Sequence, residues 1–202
     1  MVTSLKLAHR IDNLRLALKW IRRNPEAQYK NYSREVFQAY AISTEHNLKD
    51  LALRLTNNTY EPSNPIKIHA PKPSGIQRTI TLLSIEDQIV YQALTNIVAE
   101  KLRRKAERRY FKSVFGHIYQ GRTANAFYVD WRRSYSAFKR AVKSAYDDGL
   151  VFTASFDLTA CYDSIDHHVL DYFLQEIGLE REFTDQLVSL LQSWTATSPD
   201  YA

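Results

Sequence analysis

The sequence predicts an α+β fold, rich in helices, with one β-hairpin and a second, short sheet. Three observations predict it. Apolar residues recur every three or four positions over most of the chain. Ile66 to Leu82 alternates apolar and polar residues on both sides of a Pro- and Gly-bearing turn. Leu150 to Phe156 is a β-rich apolar run that ends on an acid, Asp157.

The elements follow in chain order. Residues 4–22 read as an amphipathic helix, with Leu7, Ile11, Leu14, Leu18 and Ile21 on one face and Arg10, Arg15 and Lys19 elsewhere. Residues 33–57 read as a second helix, capped by Ser33, with Leu48, Leu51 and Leu55 on one stripe. Pro62 and Pro65 mark a loop. The hairpin turns at Pro71-Lys72-Pro73-Ser74-Gly75, which gathers basic residues at its tip. Ser84 caps the next helix, and Glu86 and Asp87 complement its N-terminal dipole. Ile85, Ile89, Ala93, Ile97 and Val98 supply that helix's buried face.

It exits through the cations Lys101 to Arg109. These have two readings of equal weight: complementing a helix C-terminus, or contacting phosphate. Phe111 to Gln120 is irregular, and 123–146 reads as a helix ending at Gly149. A helix over 164–177 closes at Gly178, and a last one spans 182–194.

Composition narrows the class. In 202 residues there are only 5 Gly and 6 Pro, which excludes collagen-like and low-complexity chains. A single cysteine, Cys161, excludes an intrachain disulfide framework and a multi-cysteine zinc site. The net charge of +5 permits nucleic-acid binding without demanding it. The least charged stretch, Gln88 to Ala99, is too short and polar to span a bilayer. Charges among the N-terminal leucines argue against a signal peptide. The expectation is a cytoplasmic protein with a reduced thiol and no membrane partner.

Chemistry concentrates in Phe156-Asp157-Leu158-Thr159-Ala160-Cys161-Tyr162-Asp163-Ser164-Ile165-Asp166-His167-His168. An acid where a strand leaves a sheet is held firmly by the strand, while the loop keeps a bound ion open to substrate. Hard Mg²⁺ takes one or two such carboxylates plus substrate phosphates. Asp157 is therefore read as a metal ligand. Asp163 and Asp166 are read as structural, since either can cap the helix that follows. Cys161 reads as a small packed residue, and Trp131-Arg132-Arg133 as either a solvated helix face or a nucleic-acid contact.

The stretch from Phe156 to His167 resembles the first catalytic motif of bacterial reverse transcriptases, the kind related to group II intron, retron and phage-defence enzymes. That motif sets an aspartate, an aromatic five residues on, an Asp, and an Ile-Asp-His run. Here these are Asp157, Tyr162, Asp163 and Ile165-Asp166-His167. Upstream, Ile68 to Leu82 with Pro71-Lys72 and Arg78 resembles the family's fingers hairpin. Ser84 to Leu94 resembles the helix after it. Phe115-Gly116 and Gln120-Gly121-Arg122-Thr123-Ala124 resemble its Gly-Phe-Arg-Pro-Gly-Arg segment. The likeness covers about residues 60–177. Thr79, Gln88 and His117-Ile118-Tyr119 depart from it.

The resemblance implies a right-hand polymerase: a helical N-terminal extension at 1–58, fingers at 59–149, and the first part of a palm with a short sheet at 150–202. It implies RNA-directed DNA synthesis, with an RNA template, a DNA or RNA primer and dNTPs as partners. Two Mg²⁺ ions would be the cofactor. Asp157 and the backbone carbonyl of Leu158 would hold metal, Lys72 and Arg78 would neutralise the triphosphate, and Tyr162 would lie under the sugar and exclude a 2′-hydroxyl. Arg104, Arg108, Arg109 and Arg122 are candidate nucleic-acid contacts.

The family's second catalytic element, Tyr-x-Asp-Asp, does not occur after Asp166. Tyr146-Asp147-Asp148 lacks the spacer and lies upstream, and reads as a helix end. The expectation is a fragment, truncated before that element and inactive alone. Two other readings are a non-catalytic nucleic-acid-binding module, and a metal-dependent nuclease built on Asp157, Asp163 and His167.

Overall fold

The computed structural model of the chain describes residues 2–23, 34–71, 75, 77–158, 161 and 164–195, with the backbone alone for Arg78. The architecture is α+β and helix-rich. Helices α1 (Ser4–His9), α2 (Ile11–Arg23), α3 (Arg34–Ile42) and α4 (Thr44–Thr56) precede strands β1 (Ile66–Pro71) and β2 (Gln77–Leu82). Then come α5 (Ile85–Ala106), a 3₁₀ turn at Glu107–Arg109, α6 (Trp131–Asp147), α7 (His167–Glu176) and α8 (Arg181–Thr195). The chain falls into two compact units, residues 1–97 with 179–202, and residues 98–178.

Several expected helices differ in their bounds. The single helix expected over 4–22 is two, because Arg10 leaves the helical region at ψ 137°. The break also changes α1's inner face. Leu5, Ala8 and His9 are buried, and Leu7 points outward. The second expected helix is likewise two, interrupted at Ser43, while Ser33, its expected cap, lies outside the described residues. A periodic pattern survives such a break because both pieces bury the same side of the chain, so periodicity alone does not see it. The helix expected over 123–146 begins only at Trp131, where the Asp130 side chain accepts from the Arg132 amide at 2.8 Å.

β1 and β2 pair antiparallel, from Ile66 opposite Leu82 to Pro71 opposite Gln77. The short second sheet expected around residues 150–156 is not formed. From Leu150 to Leu158 the chain is irregular, and the only sheet among the described residues is the hairpin. Phe152 is 95% and Phe156 92% exposed. Valine and phenylalanine favour a strand only where a neighbour completes the hydrogen bonds and covers the side chains, and this segment has neither.

The first unit has a continuous core. Leu14, Leu18, Leu48, Leu51 and Leu55 are buried as expected, and Ile85, Ile89, Ala93 and Ile97 bury the inner face of α5. The start of α5 is strongly determined. Ser84 Oγ accepts from the Asp87 amide at 3.1 Å and donates to Asp87 Oδ2 at 2.6 Å. The buried Asp87 carboxylate also receives the Tyr60 hydroxyl and the Ser63 amide, the latter at 3.2 Å. Burial first, and that carboxylate second, push the Tyr60 hydroxyl's pKa upward. Both carboxylate oxygens of the neighbouring Glu86 accept from Arg54 Nη2, Oε1 at 2.8 Å and Oε2 at 2.7 Å. Helix α8 joins this unit through Glu180 on the Ser4 amide at 2.8 Å, and Lys67 Nζ on the Trp194 carbonyl at 3.0 Å.

His9, in the same unit, carries a pH prediction. Its Nε2 lies 2.9 Å from Gln186 Oε1. Burial holds the imidazole below its ordinary value of 6.5, outweighing the opposite pulls of Gln186 and Glu182. Between the folded and unfolded values the unfolded chain binds more protons, so stability rises with pH there. The contribution of neutral His9 is complete above about pH 6.5 and drains away as pH falls through the folded value. The melting temperature of the wild type should fall more steeply between pH 7.5 and 5 than that of His9→Gln. Equal pH slopes would refute the assignment.

Candidate functional site

After α6 the chain turns through Gly149, whose φ of +92° suits the left-handed position that ends a helix. The amides of Gly149 and Leu150 bond back to the carbonyls of Tyr146 and Ala145, at 2.9 and 3.0 Å. Tyr146-Asp147-Asp148 is accordingly a helix end: Tyr146 and Asp147 close α6, Asp148 caps it, and Asp147 pairs with Lys143 at 2.8 Å.

Asp157 and Leu158 follow in the irregular segment, both exposed to solvent. Tyr162 and Asp163 lie outside the described residues. Asp166 caps α7, its carboxylate accepting from the His168 amide at 2.7 Å, which is the structural role expected of it. Cys161 is half-buried and free, and its carbonyl accepts from Ser164 Oγ at 3.2 Å. Among the described residues no three His, Cys, Asp or Glu side chains converge on one point. The Asp157 carboxylate and the Leu158 carbonyl are hard oxygen donors of the kind Mg²⁺ accepts. They suit one ion, while a two-ion centre needs a second carboxylate that the described residues do not bring to them.

The hairpin sets Arg78 opposite Ala70, one register step inside the pair Pro71–Gln77 that bounds the turn. Lys72, on the turn itself, lies outside the described residues.

The basic cluster at the end of α5 divides by residue. Lys105 Nζ donates to the Glu176 carbonyl at 2.8 Å, and Lys101 Nζ to the Gly178 carbonyl at 2.9 Å. Both therefore satisfy carbonyls at the C-terminal end of α7, where cations are favoured. Arg103 pairs with Glu107 at 3.7 Å and packs on Gly121, where a Cβ would lie 2.7 Å from Arg103 Nη1. Gly121 also holds φ at +95°. Arg104, Arg108, Arg109 and Arg122 are exposed. Complementing a helix end and meeting phosphate were competing readings of one cluster. Its lysines meet carbonyls at the end of α7 rather than of their own helix, and its outer arginines are exposed.

The segment between, 110–130, is pinned by a bridge from Tyr119 to Tyr128 and by the Tyr119 hydroxyl, which donates to Glu100 Oε2 at 3.1 Å. Burial and Glu100 together raise the pKa of that hydroxyl. The side chains that sequence reasoning passed over are on α6. Trp131, Tyr135 and Phe138 stand exposed on its surface among arginines and lysines. The available signal was the aromatic spacing of four and three within a basic helix, of which only Trp131-Arg132-Arg133 stood out.

Compared with protein-family models, with curated proteins and with solved structures, the chain gives no match. No helix among the described residues is long and apolar enough to cross a membrane.

Proposed function

We propose that these residues are the fingers and the beginning of the palm of a reverse transcriptase, an RNA-directed DNA polymerase working on an RNA template with a DNA or RNA primer and dNTPs. The observation that carries this reading is the spacing of Asp157, Tyr162, Asp163 and Ile165-Asp166-His167, in order behind a basic hairpin and its capped helix. The antiparallel hairpin with Arg78 next to its turn, and an Asp157 left open to solvent, support it.

On this reading Asp157 and the Leu158 carbonyl hold Mg²⁺. When bound, the ion lowers the cost of the negative charge that develops during phosphoryl transfer. Lys72 and Arg78 neutralise the triphosphate by charge-assisted hydrogen bonds. Tyr162 underlies the sugar and excludes the 2′-hydroxyl by contact. Because no Tyr-x-Asp-Asp follows Asp166 within these residues, the chain alone lacks the partner carboxylates and does not polymerise.

The expected result is RNA binding without synthesis. The 202-residue chain should bind a primer–template, and affinity should fall steeply with salt, since phosphate contacts release counterions. It should give no primer extension with Mg²⁺ and dNTPs. In a polypeptide joining these residues to a Tyr-x-Asp-Asp hairpin, Asp157→Ala should abolish synthesis and spare template binding, and Tyr162→Ala should admit ribonucleotides. Robust extension by the chain alone, or unchanged sugar selectivity in Tyr162→Ala, would contradict the roles given. Binding without any synthesis in the joined polypeptide would favour the non-catalytic module instead.

A further inference from the structure

The turn after α5 holds one aromatic ring in a conformation that bulky residues avoid. Phe111 has φ at 58°. Its amide donates to the Val114 carbonyl at 2.9 Å. The amides of Lys112, Ser113 and Val114 converge on the Arg109 carbonyl, at 3.1, 3.0 and 3.1 Å. A strained backbone persists only where its surroundings hold it, and such positions cluster at ligand clamps. Over the ring lies Arg133, its guanidinium carbon 5.3 Å from the centroid.

Phe111, Arg133, Ala137, Arg140 and Ala141 line an open cleft of about 470 Å³. Helical spacing orders its sides. Arg133 and Arg140 are one heptad apart and form a single row, about 10.5 Å apart along the axis of α6. Ala137 and Ala141, four apart, form the adjoining row. The arginines are thus a rim, the alanines a floor, and Phe111 the wall supplied from outside the helix. Both alanines and Phe111 are half-buried, and both arginines are exposed. Elsewhere on this helix Arg132 pairs with Asp130 at 3.6 Å and Lys143 with Asp147 at 2.8 Å. Arg133 and Arg140 meet no acid among the described residues. The stripe of Trp131, Tyr135 and Phe138 lies on the other flank of α6 and takes no part.

The two halves of the cleft decide its occupant. An inorganic anion would use the rim and leave the ring and floor wet. An uncharged apolar group would use the ring and floor and leave two guanidinium groups without a counter-charge. A flat group bearing a phosphate uses both. Its oxygens suit the planar forks of two arginines, and its ring suits Phe111. Each long arginine side chain spans half the distance between the two, so both reach a phosphate placed over Ala137. The volume exceeds what a phenyl phosphate fills and suits a base with its sugar.

We infer that this cleft binds a nucleoside monophosphate, either free or as the 5′-terminal unit of a strand. The phosphate sits between Arg133 and Arg140, and the base lies on the alanine floor against Phe111. The reverse-transcriptase reading gives none of these five residues a role, so the two stand or fall separately.

The test is isothermal titration calorimetry of the full 202-residue chain with adenosine 5′-monophosphate. Adenosine, inorganic phosphate and phenyl phosphate are the comparison probes. The monophosphate should bind about tenfold more tightly than any of the three, since each lacks part of the contact. Arg133→Gln/Arg140→Gln should reduce its affinity to that of adenosine. Ala137→Leu keeps the charge and the helix propensity but fills the floor, and should abolish binding. Phe111→Gly suits the positive φ while removing the ring, and should weaken binding with the fold retained. Circular dichroism and melting temperature check each variant.

A 5′-phosphorylated oligoadenylate separates the two sources. If it binds more tightly than the free nucleotide, and Ala137→Leu abolishes that binding, the ligand is a strand end and the inference holds. Undiminished binding in both Ala137→Leu and Phe111→Gly places the ligand outside the cleft and overturns it. Inorganic phosphate binding as tightly as the nucleotide leaves only an anion site, and phenyl phosphate doing so makes the ligand a phosphotyrosyl group. Either result overturns the assignment, as does the absence of binding by both nucleotide probes.

Discussion

Replacing Phe183 by alanine should destabilise the unit formed by residues 1–97 and 179–202 by about 3–5 kcal/mol. The Phe183 ring is fully buried, the largest side chain to be so among the described residues. It sits in the first turn of α8, whose inner face continues through Leu187, Leu190 and Trp194. Deleting the ring removes its transfer free energy and leaves a cavity that two packed helices cannot close. Just before it, Glu180 accepts from the Ser4 amide, and Gln186 meets His9 one turn later. These polar ties position α8 without burying much surface, so they cannot replace the ring. Urea denaturation monitored by circular dichroism measures the change. Phe183→Leu should lose roughly a third to a half as much, because it keeps most of the buried volume. A loss below about 1 kcal/mol for the alanine variant would mean that the first turn of α8 is not part of the cooperative core.

A buried amide cluster should show the second largest effect. Asn13 is 1% and Asn96 0% exposed. Asn13 Nδ2 donates to the carbonyls of Ala8 and Ala93, at 3.0 and 2.9 Å, and its oxygen accepts from Asn96 Nδ2 at 3.0 Å. Gln92 Nε2 closes the chain on Asn96 Oδ1 at 2.9 Å. Asn13→Leu strands Asn96, and each buried polar group left without a partner costs about 1–3 kcal/mol. Replacing both asparagines by leucine removes the stranded group along with its partner. The double variant should therefore be less destabilised than the two single losses predict, by about 0.5–3 kcal/mol of coupling. A double-mutant cycle in urea reads this directly, and simple additivity would show that the two amides are not energetically linked.

Neither asparagine announced itself in the sequence. Asn96 stood out only as a polar residue that keeps Gln88 to Ala99 from reading as a membrane segment. Asn13 lies amid leucines on a helix whose apolar spacing accounted for the face without it. Their partner is eighty-odd positions away, and a hydrogen bond between distant segments has no local signature. The same holds for Lys101 and Lys105. Their charge was plain, but their use on the carbonyls ending α7 needed that helix to be in place.

Local chemistry was legible wherever local physics decides the outcome. Ser84 with Asp87 starts α5, and Gly149 and Gly178, at φ of +92° and +88°, end α6 and α7. The hairpin was legible because alternation and a turn are short-range. Asp166 was legible as a cap because a carboxylate before a helix satisfies the free amides of its first turn. The reading of Asp157 as a catalytic residue rests on the resemblance carried by its spacing to Tyr162, Asp163 and Ile165-Asp166-His167, and remains a proposal.

The strand expected before Asp157 was not, and the reason is general. A helix closes its hydrogen bonds within itself, whereas a strand borrows them from a neighbour. Composition could say that Leu150 to Phe156 suits a sheet, but not that a sheet would be there. Helix type, caps and turn were thus written in adjacent residues. The break at Arg10, the amide cluster, the division of labour among the basic residues and the fate of that apolar run depended on what the folded chain brings beside them.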